Sequence, residues 1–199
     1  MKDLRSTKSL LRVLAVLSLY ALVGCGHSIN ITPPMNTLSK EGVVKIDKNV
    51  GYYISSENMN KEVTTPGGGG DKVKYFLYKE SEPALKTVLG NIFNQVVSVP
   101  APNDAKFVAD NKIAYIFTPE FTTDSSSPSP FTWPPTKFSM KINCNAADGS
   151  GKLLWQTVVE GEGQAEFDEF KHDFSLAARR ASQKAFMKLQ EEIVKSGNF

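Results

Sequence analysis

Thr65-Pro66-Gly67-Gly68-Gly69-Gly70-Asp71-Lys72 could cradle a phosphate, because successive glycine amides can form an anion-binding concavity. A phosphate loop of that kind needs its lysine followed by Ser or Thr and then by the N-terminus of a helix. Here Val73 follows the lysine and the next element reads as a strand, so the stretch is taken as a flexible loop between strands. His172 beside Asp173 has the makings of a general base and its orienting acid, but no Gly-x-Ser-x-Gly turn supplies a nucleophile. A solvated histidine near a helix cap is the simpler expectation. Glu160, Glu162, Glu166, Asp168 and Glu169 could do acid–base work only if burial drove their pKa values apart. Interleaved Gly and Phe residues point instead to a strand end with a solvated outer face. The two histidines, His27 and His172, lie far apart in the chain, so no local metal site can be assembled, and no metal or cofactor is expected.

The remaining chemistry belongs to cysteine. Lys2, Arg5, Lys8 and Arg12 precede an 11-residue run, Val13 to Val23, broken only by Ser18 and Tyr20. A basic start and a short apolar run make a secretory signal, whereas a spanning helix needs about 20 apolar residues. The run closes on Leu22-Val23-Gly24-Cys25, which resembles the lipobox of bacterial lipoproteins. That resemblance implies cleavage between Gly24 and Cys25, diacylglycerol on the Cys25 sulfur and a third acyl chain on the new N-terminus. Two or three chains hold a protein stably on a bilayer, where one holds it marginally. By the sorting rule of the lipoproteins it resembles, Gly26 rather than an aspartate after the cysteine implies the outer membrane of a Gram-negative cell, on its periplasmic face.

Without residues 1–24 the formal charge changes from +2 to −1, so the basicity belongs to the signal. No basic run remains to neutralise phosphates, and nucleic acid is not an expected partner. Cys144 is left without an intramolecular partner and is expected to be a small buried hydrophobe.

These groups must be positioned by one α+β unit over residues 41–199, preceded by a flexible tether over 25–40, polar and carrying two prolines. Residues 42–46 and 51–54 read as strands with a turn at 47–49, and 72–78 as a third strand. Leu85, Val88, Leu89, Ile92, Phe93 and Val96 form one helical stripe, in a helix starting at Ser81 or Glu82 and ending before Pro100. Residues 113–117 read as a buried strand closed by Pro119. Phe138, Met140, Ile142 and Cys144 share one face of a strand, which turns at 147–151 into a partner over 152–160. Gly161-Glu162-Gly163 suggests a bulge or strand end. A helix from about Phe174 to Val194, capped by Asp173, carries an alanine-rich stripe that lets its backbone approach a sheet. The expected architecture is a two-layer sandwich of a mainly antiparallel sheet with two principal helices.

Phe131 and Trp133, set among prolines in DSSSPSPFTWPPTKF, are candidate contacts for a partner, because stiff aromatic loops lose little entropy on docking. The competing expectation is that the rings fold back over a sheet edge. Lipobox, tether and strand–helix–strand–hairpin–helix order together resemble the small YajG-type outer-membrane lipoproteins. A more distant likeness is to the N-terminal domain of TolB and the lipoprotein subunits of curli and Pel export. The resemblance implies a non-enzymatic accessory or scaffolding subunit of an envelope complex, with protein partners in the envelope. The alternatives are a periplasmic module binding a glycan or lipid between sheet and helices, and a hydrolase built on His172 and the 160–169 acids.

Overall fold

The structure is a computed structural model, and it describes residues 26–38, 45–128 and 133–199. Its eight strands are β1 Gly26–Ser28, β2 Ile46–Tyr52, β3 Val63–Pro66, β4 Lys72–Tyr75, β5 Phe93–Ser98, β6 Ile113–Ser126, β7 Lys137–Asp148 and β8 Leu153–Gln164. The helices are α1 Ser56–Asn60, α2 Leu77–Ile92, α3 Ala105–Asp110, α4 Phe167–Phe170 and α5 Leu176–Ser196, with a 3-10 turn at Met35–Leu38. Five strands form one sheet in the order β5-β2-β6-β7-β8, and three form a smaller one, β1-β4-β3. The fold is α+β, with the sheet-and-helix sandwich that the sequence implies. The sheets are mixed: β2 runs parallel to both β5 and β6, β1 runs parallel to β4, and the remaining pairs are antiparallel.

Helix α5 lies across β7 and β8, and its fit depends on what the strand lacks. A Cβ on Gly161 would meet the Ala181 carbonyl oxygen and the Ala185 amide. A Cβ on Gly163 would press on the Ala177 carbonyl and lie 2.6 Å from Ala181 N. Ala177, Ala181 and Ala185 are all buried against these glycines. Of the bulge or strand end expected at 161–163, the structure shows the strand end: the glycines pair in register just before β8 stops at Gln164, where the lack of side chains admits a helix backbone. Phe138, Met140, Ile142, Cys144 and Ala146 fill the same side of β7, as their alternation requires.

Several boundaries differ from the sequence reading for identifiable reasons. Residues 47–49 do not turn: Asn49 sits at a register shift inside one strand, and its Nδ2 donates to the Asn111 carbonyl at 3.2 Å. Helix α2 starts a turn early, at Leu77, where the Glu80 side chain accepts the Phe76 amide at 3.0 Å. It stops at Ile92, because Phe93–Ser98 pairs in parallel with β2 instead of continuing the helix. Pro119 lies within β6, opposite Cys144, rather than ending it. Its missing N–H costs nothing there, since pairing with β2 ends at Phe117. The C-terminal helix takes Ser175, not Asp173, as its N-cap residue, and Phe174 stands outside it, 46% exposed.

The largest difference concerns the expected tether. Residues 26–38 pack onto the body of the protein. β1 pairs with β4 from Gly26↔Lys72 to Ser28↔Lys74, and Ile29, Ile31 and Leu38 are buried. Ile31 N donates to Glu80 Oε2 at 2.8 Å, Thr32 Oγ1 to the Glu80 carbonyl at 3.0 Å, and Asn30 N to Ser175 Oγ at 3.0 Å. Asn91 Nδ2 then ties the Leu38 carbonyl to Gln190 Oε1, joining the 3-10 turn, α2 and α5. The smaller sheet closes on β6 through buried hydroxyls, with Ser125 Oγ donating to Thr65 Oγ1 and Tyr75 OH bonded to Thr123 Oγ1, both at 2.6 Å.

Candidate functional site

Gly24, Cys25 and Phe131 lie outside the described residues. Trp133 lies within them, folded back rather than projecting. Its indole stacks on the His27 imidazole, with centroids 4.1 Å apart and planes 23° apart. It also meets the Phe174 ring, tilted at 55° with centroids 4.8 Å apart. His27 Nε2 stands 3.6 Å from Asp71 Oδ2. The next two residues, Pro134 and Pro135, are buried.

The glycine loop is part of the same construction. Gly68 N donates to the Trp133 carbonyl at 2.9 Å, and Gly67 N to the Asp71 carbonyl at 2.9 Å. A Cβ on Gly67 would collide with that Trp133 carbonyl, so glycine is required for close approach. Gly69 and Gly70 take positive φ values of 65° and 86° to close the turn. Amides spent on protein carbonyls do not cradle a phosphate. The loop is bonded to the Trp133 segment, whose indole stacks on His27 of β1.

The other candidates do not converge. His172 is exposed in the turn before α5. Asp173 is paired with Arg179 and accepts Ser175 N at 3.1 Å. Glu160 and Glu162 are exposed, and Asp168 pairs with Lys171 at 2.6 Å. Glu169 is bridged by Arg180 at 2.7 and 3.0 Å, while Arg180 also donates to the Gln164 carbonyl at the end of β8. Those guanidinium hydrogen bonds, with the Glu166 amide, hold the Glu169 carboxyl down at about 2 from its ordinary 4.5. A carboxyl whose pKa falls on folding stabilises fully above its unfolded value and loses that contribution as pH drops towards its folded one. The stability difference between the wild type and Glu169→Gln is therefore expected to be constant near neutrality. It should shrink between pH 4.5 and about 2, as followed by urea denaturation across that window.

Cys144 is fully buried, and burial pushes its thiol up to about 12. The thiolate is the reactive form. An alkylating reagent is accordingly expected to leave Cys144 unmodified in the native protein at neutral pH and to modify it in denaturant, read by mass spectrometry of its peptide.

The backbones of β8 and α5 touch at Gly161 and Gly163, and the groove of about 750 Å³ between Glu162 and Gln164 on the strand and Arg180 and Met187 on the helix lies outside that contact. The clefts that exist are at the surface. One of about 310 Å³ is bounded by Pro128 and Thr136, which flank the Trp133 segment, and by Phe167 and Phe170. Phe167 is 63% exposed, with its ring edge-on to Phe170 at 5.4 Å. Sequence reasoning missed His27, Phe167 and Phe174 as parts of this end. Phe174 falls three residues before Ala177, on the period of the alanine-rich stripe, and a lone histidine carries no spacing signal.

No protein-family model matches the chain, and no curated protein matches it. Solved structures of similar shape include a Xanthomonas campestris protein of the DUF330 family, at 7% identity and a TM-score of 0.44, over 86% of this chain and 91% of that one. A Caulobacter crescentus protein named as a candidate lipoprotein aligns at 14% identity and 0.35, over 66% of this chain and 85% of its own. PelC from Paraburkholderia phytofirmans, solved as a dodecamer, aligns at 13% identity and 0.36, over 74% and 94%. Scores this low carry no residue roles from one chain to another.

Proposed function

We propose that the chain is a lipid-anchored, non-enzymatic accessory subunit of the bacterial envelope, held by diacylglycerol on Cys25 to the periplasmic face of the outer membrane. The observation that carries the reading is Leu22-Val23-Gly24-Cys25 at the end of a short apolar run, followed at once by a folded strand beginning at Gly26. Among the described residues no helix is long and apolar enough to cross a membrane. The non-enzymatic part rests on the scatter of His172, the paired acids and the buried Cys144. The protein's contribution is then one of placement: it presents its surface to envelope partners at a fixed distance from the bilayer.

Mass spectrometry of the protein extracted from membranes tests this. The expected mature chain starts at a Cys25 that carries diacylglycerol on its sulfur and a third acyl chain on its amine, and Cys25→Ser is expected to retain residues 1–24 and carry no lipid. An N-terminus elsewhere, or an unmodified Cys25, overturns the reading. Density separation of the two membranes then reports which one holds it, and crosslinking in intact envelopes identifies the partners.

A further inference from the structure

We propose that the Trp133–Phe174 end of the protein rests in the headgroup layer of the membrane that anchors it, so that the domain is seated flush on the bilayer rather than hung from it. The proposal rests on the lipid-anchored reading of Cys25 and deepens it.

The first argument is covalent reach. Consecutive Cα atoms are about 3.8 Å apart, so the lipid-bearing residue leaves directly from Gly26. Gly26 is not free to wander. Its strand is paired with Lys72–Lys74, and the residues behind it are fixed by buried Ile29 and Ile31 and by the bond from Ile31 N to Glu80. The acyl chains therefore enter the membrane beside one definite patch of the protein.

The second argument is what that patch contains. Trp133 stacks on His27, two residues from Cys25, and the Phe174 ring lies 4.8 Å from the indole with nearly half its surface exposed. Phe167, more exposed still, borders the cleft flanking the same segment. Tryptophan gathers at membrane interfaces because an apolar ring with one N–H suits a layer that is greasy below and wet above. Exposed phenylalanines supply further apolar area to the same layer. The charges at this end are mixed: Asp71 beside His27, Lys72 on the strand paired with Gly26, and Lys171 over the Phe167 ring at 6.0 Å. Such a mixture suits zwitterionic headgroups and gives no preference for anionic ones. The rings add orientation to an attachment already made by the acyl chains. Trp133 so used is not available to a protein partner.

The two tryptophans, Trp133 and Trp155, make the test direct. Trp155 packs against Phe117 and Phe199, away from this end. The full lipidated chain is reconstituted into phosphatidylcholine vesicles, with and without phosphatidylcholine brominated on the upper acyl carbons. Trp155→Phe leaves Trp133 as reporter, and Trp133→Phe leaves Trp155. An interfacial indole should lose at least about half its emission to bromine, while Trp155 should be almost unaffected. Equal quenching of the two reporters, or none of Trp133, in protein that floats with the vesicles overturns the flush seat and leaves the anchor standing. Protein that does not float overturns the lipid reading and this proposal with it. Phe174→Ser is expected to reduce Trp133 quenching without releasing the protein from vesicles, and unchanged quenching would remove Phe174 from the contact.

Discussion

Gly163→Val is expected to cost on the order of 4 kcal/mol or more, enough to unfold a marginal domain, because overpacking against backbone cannot be relieved by rotamer change. The obstacle at Gly163 is the Ala177 carbonyl together with Ala181 N at 2.6 Å from the added Cβ. Neither atom can swing aside while α5 remains a helix. Moving the whole helix outwards would loosen Ala177, Ala181, Ala185, Leu189 and Ile193, each nearly or fully buried against the sheet. Chemical denaturation followed by far-ultraviolet circular dichroism measures the loss. A variant with an unchanged midpoint would mean that α5 is not held at backbone contact with β8.

Ile31→Ala is expected to cost about 3 kcal/mol, the middle of the range for truncating a fully buried branched side chain. Ile31 is completely inaccessible, and its amide is bound by Glu80 Oε2. Glu80 also holds the Phe76 amide and, through its carbonyl, the Thr32 hydroxyl, so one residue ties the segment after β1 to the start of α2. Loss of the Ile31 side chain should raise amide exchange across residues 26–32 as well as lower the global midpoint. An unchanged midpoint would return this segment to the status of a tether.

How much of this was legible in the sequence depended on the range of the interactions. The β7–β8 hairpin was readable because strict alternation from Phe138 to Cys144 ends in a local turn, where Asp148 Oδ1 accepts the Ser150 and Lys152 amides. The alanine stripe of α5 was readable for its spacing. β5 was not, since Phe93 and Val96 continue the helical period of α2 and only a distant parallel partner, β2, decides against it. Pro119 misled because a proline in a strand is acceptable only once the neighbour has ended, and that is a fact of tertiary structure. Residues 26–38 looked like linker by polarity. The Ile29-x-Ile31 alternation was the sole sign of a strand-like segment that buries two side chains. Of the candidate site, the Trp133 segment was singled out by composition, but its place over His27 needed the β1–β4 pairing and the glycine loop.

β8 runs twelve residues along the margin of the larger sheet with Leu153, Leu154 and Val158 exposed. Two of its outward carbonyls are stoppered, Glu160 by Lys188 at 2.7 Å and Gln164 by Arg180 at 2.8 Å. Both stoppers belong to α5, which leaves the ribosome after the strand it guards. Until that helix arrives, the nascent hairpin carries a long bare margin able to template another chain. The margin of β8 is thus guarded only once α5 has docked, at the backbone contact that Gly161 and Gly163 permit.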